Sequence, residues 1–217
     1  MNIIDTSSGQ NSGKDCKESV INIPLFNTEG IEYILSAKEY TNIIFQSITS
    51  VDFFKNYEMI KDKNIFCMGK ATQSYLLKKN IKSICPNLPG SQELKKVLFK
   101  NKNDGNYLIV KGEKGLKEIF NYLNKSGKNV EEVICYKRTK YHCYDHIKRD
   151  FIRADAIIFP STFAFDIFFE EIYSSKTKAK LFGISDRINA HIASFGLNSY
   201  LVDYFSDDII ESIIKTT

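Results

Sequence analysis

The sequence predicts an α/β protein made of two related domains, each a parallel sheet flanked by helices. Three observations carry that expectation. First, Asn42-Ile43-Ile44-Phe45-Gln46-Ser47 and Ala156-Ile157-Ile158-Phe159-Pro160-Ser161 are twin apolar runs that each stop at a serine. Each continues into an apolar helix-like stretch, with Val51, Phe53 and Phe54 in one copy and Phe165, Phe168 and Phe169 in the other. Second, Gly69 closes the next apolar run 22 residues after Ser47, just as Gly183 does 22 residues after Ser161. Third, the runs show no apolar/polar alternation, the pattern of strands buried on both faces of a parallel sheet. Two copies are too few for a solenoid, so paired domains are the better reading.

The elements follow in order. A Ser/Gly/Asn-rich stretch from Thr6 to Gly13 reads as a loop, and Val20-Ile21-Asn22-Ile23-Pro24-Leu25 as a first short strand. The first copy then gives a strand to Ser47, a helix, a strand to Gly69, and a second helix opened by Gly69-Lys70-Ala71-Thr72. Ser91-Gln92-Glu93-Leu94 reads as a helix N-cap followed by an acidic residue, which suits the positive end of the helix dipole; Ser206-Asp207-Asp208-Ile209 is its counterpart. Between the copies, Asn106 to Gly112 forms a strand. Leu116 to Lys125 forms a helix with Leu116, Ile119, Phe120 and Leu123 on one face, stopped near Gly127, and Val130 to Tyr136 forms a further strand. Lys137-Arg138-Thr139-Lys140-Tyr141-His142 is polar and aperiodic, as a linker would be.

Composition narrows the function classes. The chain has 217 residues, 43% hydrophobic and 26% charged, which excludes disordered and low-complexity classes. No apolar run approaches the roughly 20 residues that cross a bilayer. The N-terminus lacks the basic start and apolar stretch of a secretory signal. Five cysteines (Cys16, Cys67, Cys85, Cys135, Cys143) without an export signal read as reduced thiols, so a cytoplasmic location is expected. The net charge of +4 leans towards anionic partners, but the lysines are spread along the chain rather than gathered into a nucleic-acid stripe. Neither a nucleic-acid nor a membrane partner is expected, and the chain is expected to be a monomer.

In open parallel sheets, ligands bind at the carboxyl ends of strands, where helix N-termini offer free backbone N–H groups. That rule selects Ser47, Gly69 to Thr72, Lys111 to Gly115, Tyr136, Ser161-Thr162 and Ser185. Ser47 and Ser161 are either hydroxyls presented to an anion or terminators that cap the next helix; both readings stand. Thr72 opens a helix that could hold a carboxylate or phosphate, or is a plain helix-start hydroxyl. Lys111-Gly112-Glu113-Lys114-Gly115 lacks the Gly-Lys-Ser/Thr ending of a nucleotide-hydrolase loop, which leaves a short anion-binding turn. Tyr136, beside Lys137 and Arg138, is a proton donor or a packing residue. His142-Cys143-Tyr144-Asp145-His146 lacks a second ligand pair at zinc spacing, and His191 lies on an apolar helix as a structural residue. No Gly-x-Ser-x-Gly elbow is present.

Taken in order, these segments resemble the uroporphyrinogen-III synthase family. The stretches that carry the resemblance are Ile43 to Ser47 with Val51 and Phe54, Gly69 to Thr72 with Leu76 and Leu77, and Pro86 with Ser91 to Leu94. They continue through Gly112, Gly115, Leu123, Gly127, Val133 to Arg138, Asp155 to Ser161, and Gly183 to Arg187 ending at Phe195-Gly196, so the likeness spans about residues 20 to 217. The resemblance implies two α/β domains joined by two linker strands. Residues 1–25 with 147–217 would form one domain and 36–138 the other, with linkers at 26–35 and 139–146 that act as hinges. It implies a lyase that closes hydroxymethylbilane, a linear polycarboxylate tetrapyrrole, to uroporphyrinogen III. The family inverts the last ring through a spiro intermediate and releases water without metal or organic cofactor. Tyr136 matches the tyrosine held to assist leaving-group departure, and Thr72 matches a cleft-facing threonine. Ser47, Lys111, Gly112, Ser161, Thr162 and Ser185 would bind substrate. Three departures stand out: Asp5-Thr6-Ser7 replaces the family's usual N-terminal strand with its Thr-Arg-Pro ending, Asn80 replaces a helix-ending Gly, and Ile188 replaces a hydroxyl residue. The competing expectation is a non-enzymatic module that binds an anionic small molecule by domain closure.

Overall fold

Cα packing divides the chain into two units, Met1–Asn27 with Thr139–Thr217, and Thr28–Arg138. The computed structural model describes residues 1–8, 20–101, 104–204, 206 and 208–216. Cys16, Asp207 and part of the Thr6 to Gly13 loop lie outside them.

In chain order, β1 (Ile3–Asp5) and β2 (Val20–Asn22) begin the first unit, and β3 (Phe26–Gly30) carries the chain out of it. The second unit follows with β4 (Asn42–Phe45), α1 (Ile48–Phe53), β5 (Asn64–Cys67), α2 (Lys70–Lys78), α3 (Ser91–Lys100), β6 (Tyr107–Gly112) and α4 (Glu118–Lys125). Strand β7 (Val130–Lys140) leads back. The first unit is completed by α5 (Asp145–Arg153), β8 (Ala156–Phe159), α6 (Thr162–Ile167), β9 (Lys180–Gly183), α7 (Asp186–Ser194), β10 (Ser199–Leu201) and α8 (Ile209–Thr216).

The second unit's sheet has the order β3-β7-β6-β4-β5, and β5, β4, β6 and β7 run parallel. All residues of β4 and β6 are buried, which is why these runs lack alternation. Ile43, Phe45, Leu108 and Val110 pack on one face with Val51 of α1 and Leu76 of α2. Ile44, Phe66, Tyr107 and Ile109 pack on the other with Leu94 and Leu98 of α3 and Ile119 and Leu123 of α4. Each fully buried Ile or Phe contributes about 1.5–3 kcal/mol, so this two-sided cover is the main source of the unit's stability. Gly127, with φ of 71°, stops α4 as expected, and Asn80 adopts φ of 59° after α2, a conformation Asn tolerates better than other side-chain residues.

The first unit's sheet has the order β10-β9-β8-β1-β2, all parallel. Ile4, Ile157, Phe159 and Leu181 face α5, α6 and α7 through Phe151, Phe165, Ile188 and Ile192. Ile3, Ile158 and Phe182 face Ile213 of α8. Ile188 therefore lies in the core of this unit.

Three expectations are corrected. The N-terminal strand is present: Ile3, Ile4 and Asp5 are buried and pair with both β2 and β8, so the Val20 strand is second rather than first. A three-residue run shows no periodicity; only its two partner strands make it a strand. Ser91 is the first helical residue of α3, with Gly90 as N-cap. At α8 the Asp208 carboxylate, not Ser206, accepts the amides of Ile210 and Glu211. The strand read as ending at Tyr136 continues through the polar stretch to Lys140.

One acid fixes the entry to the second unit's sheet. Glu131 of β7 accepts from Ser36 Oγ at 2.9 Å and from Lys38 and Tyr40. The Lys38 ammonium, then the Tyr40 and Ser36 hydroxyls, hold its carboxyl at about 2, below its ordinary 4.5. A depressed carboxyl contributes stability that is complete above pH about 4.5 and is lost as pH falls through about 2. The difference in unfolding free energy between wild type and Glu131→Gln should therefore shrink across that window. It should be small throughout, because the Glu131 side chain is 29% exposed.

Candidate active site

In the second unit the candidate site forms at the carboxyl ends of β4 and β6, beside the middle of β7. Register along β6 and β7 pairs Lys111 with Ile134 but Gly112 with Tyr136, which leaves Cys135 as an extra residue. Alternation would turn Tyr136 away from Cys135. The irregularity instead brings both onto the face of α1, where both join the same core cluster. The Tyr136 ring lies over Gly112, where an added Cβ would stand 2.5 Å from Cζ and 2.9 Å from the phenol oxygen. It stacks against Phe53 of α1, with centroids 5.9 Å apart and planes 25° apart. Its hydroxyl is 3.2 Å from Ser47 Oγ.

Ser47 is fixed by its own helix. Its Oγ accepts the Ser50 amide at 3.0 Å, while Ser50 Oγ accepts the Ser47 amide at 3.0 Å, a reciprocal capping box. Ser47 thus caps α1, as the terminator reading has it, and its hydroxyl also meets the Tyr136 phenol. Ser47→Ala removes the cap and should cost about 1 kcal/mol in a denaturant titration.

Thr72 sits in the first turn of α2, 6% exposed, and its hydroxyl makes no hydrogen bond among the described residues. Lys111 behaves differently from expectation. Its ammonium is buried, 2.7 Å from Glu132 Oε1 and 3.4 Å from the Leu116 carbonyl, so it is committed inside the unit rather than offered to substrate.

In the first unit, Ser161 caps α6, accepting the Ala164 amide at 3.2 Å. Ser185 is the N-cap residue of α7 but makes no side-chain cap. The hydroxyls of Ser185 and Thr162 form no hydrogen bond among the described residues. Asp5 ends β1 at this same edge, buried, and accepts the Ser7 amide at 2.9 Å and the Tyr204 hydroxyl at 2.8 Å.

Sequence reasoning missed Phe53 as the stacking partner of Tyr136, Ser50 as half of the capping box, and Asp5. It also passed over Arg187, an exposed cation in the first turn of α7, and gave Lys70, its exposed counterpart in α2, no role of its own. A Ser-x-x-Ser pattern after a strand was the available signal for Ser50; Phe53 was legible only as an apolar helix position.

His142 and His146 are exposed, and the Asp145 carboxylate pairs with Lys148 at 2.8 Å. Among the described residues no group of three or more His, Cys, Asp and Glu could hold a metal ion. His191 Nε2 lies 2.5 Å from Asp166 Oδ1, with Phe165 and Phe195 edge-on to its ring, which ties α7 to α6. A cavity of about 810 Å³ in the second unit is lined by Tyr57, Ile60, Ile65, Lys79 and Lys82 among others, at the amino end of β5 and away from Thr72. No helix among the described residues is long and apolar enough to cross a membrane.

Residues 17–208 match the family model described as Uroporphyrinogen-III synthase HemD. Among solved structures, uroporphyrinogen-III synthetase from Helicobacter pylori is similar, with a TM-score of 0.71 at 14% identity, over 99% of this chain and 96% of that one. A mutant uroporphyrinogen III synthase from the extremely thermophilic bacterium Thermus thermophilus gives 0.62 at 12% identity, over 99% and 98%. At such identities the likeness shows the fold. A search of curated proteins finds no significant match.

Proposed function

The chain belongs to the uroporphyrinogen-III synthase family of haem biosynthesis, and from that membership we propose that it closes hydroxymethylbilane to uroporphyrinogen III, as a lyase, with Tyr136 assisting departure of the hydroxyl. The observation that carries the assignment of Tyr136 is its position on the β7 irregularity, with its phenol over the end of β6 and hydrogen-bonded to Ser47.

The chemistry asks little of the protein. The terminal pyrrole nitrogen pushes its electron pair towards the hydroxymethyl carbon, and the C–O bond breaks. A proton from the Tyr136 phenol lets the oxygen leave as water. The Ser47 hydroxyl, 3.2 Å away, donates to the phenolate left behind. The ring-closing carbon loses a proton as the pyrrole regains aromaticity, which restores the phenol. Acid help is a minor part of the rate. The larger part is holding the chain in the geometry that inverts the last ring.

The substrate's many carboxylates call for scattered donors. Thr72, Thr162 and Ser185 have uncommitted hydroxyls at helix starts, and Lys70 and Arg187 add charge in the same turns. Lys111 is left out of this set, because its ammonium is already paired.

The test supplies purified protein with hydroxymethylbilane and separates the product isomers. Uroporphyrinogen III is expected; the type I isomer alone would overturn the reading. Thr72→Ala should lower turnover less than tenfold, since water replaces one hydroxyl among many contacts. A loss as large as that of Tyr136→Phe would make Thr72 the dominant contact instead.

A further inference from the structure

We propose that Cys67 and Cys85 are a disulfide-forming pair, a thiol modification site that adjusts the turn presenting Thr72. The geometry comes from a short parallel pairing at the outer side of β5. Phe66 bridges Ile84, with the Cys67 amide donating to the Ile84 carbonyl at 3.0 Å and the Ile84 amide to the Ile65 carbonyl at 2.8 Å. One step further along, Cys67 stands opposite Cys85. In parallel pairing, opposite residues point to the same face, and both thiols do reach the core cluster under α2. Adjacent strands lie about 4.8 Å apart, inside the range of Cα separations that disulfides span.

The two thiols differ in access. Cys85 is partly exposed and Cys67 is buried. Burial first, with a lesser contribution from the neighbouring Cys85, pushes the Cys67 thiol up to about 11. Cys85 therefore reacts first. Its thiolate attacks a small-molecule disulfide such as oxidised glutathione, and one thiolate leaves. Cys67 then gives up its proton and attacks the Cys85 sulfur, releasing the second. Two protein thiols are oxidised and one external disulfide is reduced to two thiols. The buried, high-pKa Cys67 makes the second step the slow one.

The consequence falls on α2. As thiols, Cys67 donates to the Gly69 carbonyl at 3.7 Å and Cys85 donates to Gln73 Oε1 at 3.0 Å. Both bonds steady the first turn of α2, which carries Thr72. The cross-link consumes both donors at once. The functional half of this inference rests on the synthase reading above; the chemical half does not.

The experiment treats the full-length protein with oxidised glutathione, alkylates free thiols and maps peptides by mass spectrometry. A peptide joined through Cys67 and Cys85 is expected, absent after dithiothreitol. Glutathione adducts confined to exposed Cys143, with Cys67 and Cys85 alkylated, would overturn the proposal. This readout needs no variant and no activity. Turnover measured in parallel should fall several-fold on oxidation, chiefly through KM, and recover with dithiothreitol. Cys85→Ser should keep its turnover through the same treatment. A mapped cross-link without change in turnover would overturn the adjustment of the Thr72 turn while leaving the synthase reading intact.

Discussion

Turnover is expected to fall about tenfold to a hundredfold when Tyr136→Phe removes the phenolic oxygen, with the unfolding transition and the product isomer unchanged. Positioned acid catalysis contributes more than this in many enzymes, but here the pyrrole nitrogen supplies most of the drive. The ring keeps its stacking on Phe53 and its place over Gly112 in the variant, so packing is conserved. Gly112→Ala should do more harm to turnover while leaving the phenol chemically intact. Its Cβ would stand 2.5 Å from Cζ, so the ring has to move and the Ser47 contact breaks. Steady-state kinetics beside an unfolding curve separates the two variants. Wild-type turnover in Tyr136→Phe would reduce the residue to core packing.

The second large effect concerns stability. Glu132→Gln should destabilise the protein by about 3 kcal/mol or more, a fall in Tm on the order of 10 °C, because it leaves the Lys111 ammonium buried beside a neutral amide. The two partners are not equivalent: the Lys111 side chain is 2% exposed and that of Glu132 17%. A lone Glu132 carboxylate reaches water, whereas a lone Lys111 does not. Lys111→Met should therefore cost less than Glu132→Gln, and joining Lys111→Met to Glu132→Leu should recover most of the loss. Thermal unfolding of the three variants checks the order. A fall in kcat/KM without a fall in Tm for Lys111→Met would return Lys111 to the substrate-binding set.

The twin strands were legible because burial on both faces demands continuous apolar sequence, as in Ile43-Ile44-Phe45 and Ile157-Ile158-Phe159. Their spacing was legible because each strand–helix–strand passage uses the same length. Strand β1 was not, since three residues hold no period and its partners lie far along the chain. The end of β7 was obscured by polar residues, which an incompletely buried strand tolerates. At the candidate site, strand-end logic located Tyr136 and Ser47, but not their contact, because a one-residue irregularity reverses which face Tyr136 meets. Lys111 misled for a related reason: a strand-end lysine reads as a free cation until its carboxylate partner, 21 residues away, is in view.

The interior place of β1 sets an order of events during synthesis. Residues 28–138 contain everything their unit needs, so that unit can collapse as soon as it has left the ribosome. The first unit cannot. Thr6 bonds the Ile158 carbonyl across 152 residues, and β1 has β8 as its neighbour. At 5–20 residues per second the amino-terminal strand waits roughly 8–30 s for that partner. During that wait Ile3 and Ile4 are open to water and to chaperones. Between completion of residue 138 and arrival of β8 the nascent chain is therefore half native and half unpaired, and its misfolding hazard is concentrated at β1.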